Sequence, residues 1–261
     1  GKTVSLKNFS NERKLLIEKE LNREGFRVIA VAYKETDPEK KVFDTNDENE
    51  LIFVGFLAFF DPPKSSAKEA VKDLENLGVG IKILTGDNEL VAEKICKDVG
   101  IVFSKILLGK DIEKLSDEEL NKEIEEVAVF ARLSPYDKER IIKGLRSQNH
   151  VVGFLGDGIN DSLSLIAADV GISVDTAADI SKESSDLILL DKSLVVLKDG
   201  IIEGRRIFDN IIKYIKMAAS SNFGNMFSVV GGSIFLPFLP MLPIQILTNN
   251  MLYDFSQMTI P

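Results

Sequence analysis

The 261-residue chain is 44% apolar and 28% charged, enough for one large domain or two small ones with a real core. Its net charge of -9 argues against nucleic acid as a partner, because holding a polyanion needs a basic face that releases counterions. A single cysteine, Cys96, cannot close an internal disulfide, and a single histidine, His150, argues against Ser-His-Asp chemistry and histidine-rich metal sites.

The chain opens on Gly1-Lys2-Thr3-Val4, with neither an initiator methionine nor a signal-peptide pattern, and reads as a cut end. Strand-like runs follow at Val28 to Tyr33 and Leu51 to Phe60, separated by the acidic, loop-like stretch Thr36 to Glu50. Further strands are expected at Ile81 to Leu84, Val127 to Phe130, Val151 to Leu155, Val170 to Ile172 and Leu187 to Leu190. Helical patterns lie between them at Ser66 to Leu77, Glu89 to Val99, Ser116 to Glu126, Tyr136 to Gln148 and Ser162 to Ala168, with a capping box of Ser116 and Glu119. Cys96 falls in one of these helices as a buried thiol, and His150 reads as a surface residue. The alternation from Ile81 onward predicts an α/β fold with a parallel, doubly wound sheet and a crevice at the carboxyl ends of its strands. From Met217 onward the chain has no Lys or Arg and one carboxylate, Asp254. Met217 to Leu239 is long enough to cross a bilayer core of roughly 30 Å, and a second charge-poor run follows from Pro243 to Pro261, so two membrane helices are expected; because Ser, Asn and Gly dilute the run, a buried helical hairpin of a soluble protein is the alternative.

Two predicted strands end in the same punctuation. Ile83-Leu84 runs into Thr85-Gly86-Asp87-Asn88, and Phe154-Leu155 into Gly156-Asp157-Gly158-Ile159-Asn160-Asp161. Glycine lets the backbone turn sharply and approach a ligand, while hydroxyl and carboxylate groups hold phosphate and Mg²⁺. Lys138, at the start of a helix in Ser134-Pro135-Tyr136-Asp137-Lys138, can reach a phosphoryl oxygen in the same crevice. Thr85, Lys138, Asp157, Asn160 and Asp161 together supply a hydroxyl, a cation and metal ligands for phosphoryl transfer.

On these motifs the chain resembles the haloacid-dehalogenase superfamily, and within it the P-type ATPases. Asp61-Pro62-Pro63-Lys64 is similar to their hinge motif, and the turns at Thr85 and Gly156 to their second and most diagnostic ones. The resemblance implies a Rossmann-like phosphorylation domain with ATP and Mg²⁺ as cofactors. Asp157, with Asp161, would bind the catalytic Mg²⁺; Thr85, Gly86 and Lys138 would hold the phosphate; Asp87, Asn160 and Asp161 would complete the site; and Arg27 would reach the ATP phosphates. It implies three parts: residues 1–60 as a remnant of the nucleotide-binding domain, 61–197 as the phosphorylation domain, and 198–261 as stalk and transmembrane helices. The family's nucleophile lies in Asp-Lys-Thr-Gly-Thr, which does not occur here; Asp191-Lys192-Ser193-Leu194 and Phe43-Asp44-Thr45-Asn46-Asp47 imitate it and read as surface turns. The parent is thus expected to be an ATP-hydrolysing pump, whereas this chain alone is expected to be inactive.

Polar groups in a membrane helix are costly, and at helical spacing they mark ion sites. Asn222 and Asn225, and Asn250 and Asp254, are such pairs, offering oxygen but neither sulfur nor imidazole, as Mg²⁺ or Ca²⁺ requires. The same spacing suits asparagines that bond helix to helix. The stretch Asn249 to Gln257 most resembles the magnesium-transporting branch, with a calcium pump as the alternative; a soluble phosphatase of the superfamily and a noncatalytic fragment are the other readings. The expected partners are a divalent cation, the lipid bilayer of the plasma (cell inner) membrane, and the remaining segments of the pump, with the phosphorylation domain cytoplasmic.

Overall fold

In the computed structural model, which describes residues 11–36, 42–191, 193–238 and 240–257, the chain divides into two units, Gly1–Val196 and Leu197–Pro261. The first unit begins with helix α1 (Asn11–Arg23). Gly25, at φ 91°, then turns the chain into an antiparallel ribbon of β1 (Phe26–Tyr33) and β2 (Ile52–Phe60). The register sets Phe26 opposite Phe60, their rings 5.1 Å apart, and Arg27 opposite Phe59, so Arg27 sits at the ribbon end that leads into Asp61. Residues 37–41 of the acidic stretch lie outside the described residues; a short 3-10 turn occupies Thr45–Asp47.

The α/β alternation follows as α2 (Ala67–Asn76), β3 (Ile83–Leu84), α3 (Glu89–Val99), β4 (Ile106–Leu108), α4 (Gly109–Ile112), α5 (Asp117–Glu126), β5 (Val129–Ala131), α6 (Pro135–Ser147), β6 (Gly153–Leu155), α7 (Ser162–Ala167), β7 (Val170–Val174), α8 (Asp179–Glu183) and β8 (Leu187–Leu189). Strand β5 anchors the core because both of its faces are covered. Val129 and Ala131 pack with Ala67, Val71, Ala92 and Cys96 of α2 and α3, whereas Phe130 packs on the other face with Ile112, Leu120, Ile124 and Ile141. This is the two-residue alternation of a central strand, and burying Phe130 alone contributes about 2 kcal/mol. Cys96 is fully buried as expected, and burial pushes its thiol up to about 11. His150 is half-exposed beside Glu125, 2.9 Å away.

Strands are parallel from β3 onward, but the single sheet expected from the alternation is two. One has the order β3-β5-β4 and the other β6-β7-β8. β3 and β6 are edge strands, each hydrogen-bonded on one side among the described residues. Leu84 of β3 and Phe154 of β6 nevertheless pack on one cluster, Ile142, Ala167 and Ala168, so α6 and α7 roof both edges. Leu155 of β6 is 40% exposed, unusual for an apolar strand residue in a layered α/β fold.

The second unit contains most of α9 (Val195–Phe235) and all of α10 (Pro243–Gln257), and at the turn between them Gly232 packs so closely on Pro240 that a Cβ would lie 2.7 Å from its ring. The expected membrane spans are not met: among the described residues no helix is long and apolar enough to cross a membrane. α9 has the length, but Ser220, Ser221, Asn222, Asn225 and three glycines dilute its apolar run, and the 15 residues of α10 reach only about 22 Å. Freedom from charge is not the same as hydropathy. Leu239 and residues 258–261 lie outside the described residues.

Among the described residues one core group lacks a partner. Ser164 of α7 is fully buried, and its hydroxyl makes no hydrogen bond. Ser164→Ala should therefore raise stability, by about 1 kcal/mol, through removal of an unpaid desolvation and a gain in helix propensity. A urea-denaturation midpoint below that of the parent chain would refute this.

Candidate active site

Three chain segments build the site. At the carboxyl end of β3, the turn Thr85-Gly86-Asp87 closes on itself: the Thr85 hydroxyl donates to Asp87 Oδ2 at 3.1 Å, and the Asp87 N–H donates back to Thr85 Oγ1 at 3.1 Å. Asn88 then caps α3, its Oδ1 accepting from the N–H groups of Leu90 and Val91. The end of β5 holds this turn from outside, with the Arg132 N–H donating to Asp87 O at 2.8 Å and the Leu133 N–H to Thr85 O at 3.1 Å.

The second segment is the entry of α6. Ser134 and Asp137 form a reciprocal capping box and Pro135 pre-sets the first helical residue, which fixes where Lys138 leaves the helix. Lys138 Nζ donates to Asp161 Oδ1 at 2.7 Å, and both side chains are 14% exposed. The third segment is the loop after β6. Gly156 is obligatory there, since a Cβ would stand 2.7 Å from Asp161 Cβ and 2.9 Å from the Phe154 ring. Asp161 Oδ2 accepts from the Gly158 N–H at 3.2 Å, leaving Asp157 and Asn160 exposed on the loop. Sequence reasoning missed the groups that brace this loop: the Ser173 hydroxyl donates to Gly156 O at 2.9 Å, the Ser181 hydroxyl to Gly158 O at 2.7 Å, and the Ala178 N–H to Asp157 O at 3.2 Å. Neither serine carries a local signature.

Arg27 reaches the site from the ribbon. Its Nη2 donates to Asp87 Oδ2 at 2.8 Å, and Nη1 lies 3.9 Å from Asp61 Oδ2. The Asp87 hydrogen bond, outweighing the opposing effect of burial, holds the guanidinium above its ordinary value, and the charges of Asp87, Asp61 and Asp157 add to this. The fold thus joins Thr85 to Asp87 and Arg27, and Lys138 to Asp161. Among the described residues no three histidine, cysteine or acidic side chains gather as a metal-binding group. Mg²⁺ needs no such cage: one or two carboxylates suffice when phosphate oxygens and water complete the shell, so exposed Asp157 with Asp161 is a fitting donor set.

In the second unit Asn225 Nδ2 donates to Asn250 Oδ1 at 3.1 Å, and Asn249 Nδ2 donates to Asn225 Oδ1 at 3.2 Å. Asn222 and Asp254 are exposed and stand outside this amide chain, so two of the four residues singled out from spacing meet there. Asn249 was missed, as was Tyr253, whose hydroxyl donates to Met217 O at 2.9 Å. The imitations of the nucleophile motif are turns: Asp44 and Asp47 cap each other, and Asp191 Oδ1 accepts from the Ser193 N–H at 3.1 Å, with Lys192 outside the described residues.

The glycine turns that end β3 and β6, and the Lys138–Asp161 pair that joins α6 to the second of them, stand on a chain with clear relatives. A family model described as haloacid dehalogenase-like hydrolase matches residues 8–169, and the chain belongs to that family. More particularly, it is 52% identical to the magnesium-transporting ATPase, P-type 1, of Escherichia coli K12 over 261 residues, which is all of this chain and 29% of that protein. It is 55% identical to the protein of that name from Salmonella typhimurium LT2 over 241 residues, 92% of this chain and 27% of the relative. The calcium-transporting ATPase of Bacillus subtilis is 36% identical over 252 residues, 94% and 28% of the respective chains. The chain therefore spans less than a third of the length of these relatives.

The helix that delivers Lys138 depends on its cap. Ser134→Ala removes the acceptor of the Asp137 N–H and one donor to the Asp137 carboxylate, which is 97% buried. It should cost about 1–2 kcal/mol in denaturant unfolding. A loss below about 0.3 kcal/mol would show that the cap does not hold α6.

Proposed function

We propose that the chain is the phosphorylation domain, with part of the nucleotide-binding domain and the following helices, of an ATP-driven Mg²⁺ pump that works through an aspartyl phosphate. The observation that carries this is the Lys138–Asp161 pair, which ties the helix after a strand of one sheet to the acidic loop after a strand of the other. The high identity to magnesium-transporting ATPases, against 36% to a calcium-transporting one, favours Mg²⁺ as the cargo.

In this reading the Thr85 hydroxyl and the Gly86 backbone turn toward the transferred phosphoryl group, and Lys138 exchanges part of its bond to Asp161 for one to a phosphoryl oxygen. Arg27 exchanges Asp87 for the phosphates of ATP. Asp157, with Asp161 and Asn160 beside it, holds the catalytic Mg²⁺, which when bound supplies charge neutralisation to the phosphoryl oxygens. The nucleophilic aspartate comes from another segment of the parent. The single-sided hydrogen bonding of β3 and β6 and the exposure of Leu155 suit a further parallel strand between the two sheets, from which an aspartate would project toward Thr85 and Lys138. This chain alone is accordingly inactive, and acid-stable labelling of it by ATP would count against the reading.

For the second unit we propose a place in the membrane-embedded bundle of the parent, with the first unit cytoplasmic. Exposed Phe223, Phe227, Val230, Ile234, Met251, Leu252 and Phe255 supply an apolar exterior, while the asparagines pair helix to helix, as in helices that cross a bilayer as part of a bundle. Asn222, Asn225, Asn250 and Asp254 are the proposed cargo ligands.

Two measurements on the full-length protein test this. Asp157→Asn should lower phosphoenzyme formation from ATP by about 100-fold or more, and normal labelling would remove the metal role assigned to Asp157. Asp254→Asn and Asn225→Ala should shift the Mg²⁺ dependence of turnover while sparing phosphoenzyme formation from inorganic phosphate; unchanged ion dependence in both would overturn the cargo site.

A further inference from the structure

Arg132, directly after β5, stands at φ 54°. A residue with a side chain persists in that region only where its surroundings impose it. Three contacts do so. Its N–H donates to Asp87 O at 2.8 Å, and its Nε donates to Glu89 Oε2 at 2.6 Å, a bond that also holds the Glu89 carboxyl below its ordinary value. Its carbonyl is pressed against Gly109, the first residue of α4, where a Cβ would lie 2.4 Å from Arg132 O and 3.3 Å from its carbonyl carbon. No real Cβ approaches a carbonyl so closely.

The carbonyl of Arg132 and the N–H of Leu133 belong to one rigid peptide plane. Leu133 donates that N–H to Thr85 O, so whatever sets the direction of the Arg132 carbonyl also sets the bond that holds the Thr85 turn. The same position touches the other half of the site, because a Cβ on Gly109 would stand 3.2 Å from Asp137 Oδ2, the carboxylate that caps the helix of Lys138.

We infer that Gly109 is a positioning residue for phosphate binding: by having no side chain it lets the Arg132 carbonyl turn inward, which fixes the left-handed kink and aims the Thr85 turn and the α6 entry at one point. Gly109 touches no substrate itself. The inference rests on the proposed reading of Thr85 and Lys138 as phosphate ligands, and extends it to a residue 24 positions along the chain from Thr85. Arg132 and Gly109 were passed over in the sequence because a left-handed arginine has no local signature and Gly109 falls at an ordinary strand-to-helix junction.

The test is the concentration of inorganic phosphate that half-saturates phosphoenzyme formation in the full-length protein. Gly109→Ala should raise it about tenfold or more, since small misplacements of phosphoryl ligands are costly. Ile124→Val, a core change away from the turn, should move it less than about twofold, even where the two variants lose similar melting temperature. Normal phosphate affinity in Gly109→Ala, or an equal loss in Ile124→Val, overturns the inference. Thr85→Ala serves as the reference: if it leaves phosphate affinity untouched, the reading of the turn as a phosphate site fails, and the role of Gly109 with it. Should Gly109→Ala not fold, Glu89→Gln, which loosens the Arg132 side chain without steric change, should weaken phosphate binding by about two- to threefold, and an unchanged value there overturns the clamp.

Discussion

Lys138 and Asp161 face each other at 2.7 Å with little solvent around either, and this pair is what makes the first unit one site rather than two sheets side by side. Taking an ammonium and a carboxylate out of water costs several kcal/mol each, and mutual attraction offsets that cost only when the geometry is good and the remaining valences are met. Here Asp161 has the Gly158 N–H for its second oxygen, and Lys138 is delivered by a helix whose cap is complete. A pair of this kind contributes modestly to stability but specifies position strongly. In the proposed reading a phosphoryl group would offer Lys138 the same kind of partner as Asp161 does.

The surrounding backbone serves that pair. Gly156 allows the loop to pass close to Asp161, Ser173 and Ser181 donate to the loop carbonyls, and Gly171 brings β7 against the Leu165 carbonyl, where a Cβ would lie 2.7 Å away. On the other sheet, two consecutive N–H groups, from Arg132 and Leu133, hold the Thr85 turn. The geometry of the candidate site thus rests largely on peptide groups, which have fewer soft degrees of freedom than side chains and lose less entropy on ordering.

Legibility in the sequence followed locality. The glycine-bracketed turns, the capping box of Ser116 and Glu119 and the buried Cys96 were readable because each depends on a few neighbouring residues. The strand Ile106–Leu108 was not read, since three apolar residues ahead of a glycine do not establish a period, and α1, α4 and α8 were passed over. The division into two parallel sheets was not readable either, because strand pairing is a long-range property. At the site, Thr85, Asp157, Asn160 and Asp161 were singled out on turn chemistry, Lys138 on its place at a helix entry and Asp87 through the family resemblance, whereas Ser173, Ser181 and Arg132 act through contacts that only the fold creates. Among the described residues neither expected membrane span has the length and hydropathy to cross a bilayer as a lone helix, because freedom from charge does not make a serine-, glycine- and asparagine-rich run apolar enough.

The two units also differ in how they treat polar atoms, and the difference bears on what each can do. In the first, opposite charges are paired at short range and held by backbone, so a ligand must replace a strong partner by one at least as strong. In the second, the Asn225–Asn250 and Asn249–Asn225 bonds join neutral amides, whose oxygens exchange partners at little cost, since a neutral hydrogen bond nets only about 1 kcal/mol. A cation offered to those oxygens would displace a weak donor, and one that retains part of its water would need few of them. The first unit thus holds its polar atoms by firm ionic pairs and the second by soft amide pairs whose oxygens exchange readily, a contrast that suits the proposed pump, with tight control where covalent bonds would change and ready exchange where an ion would pass.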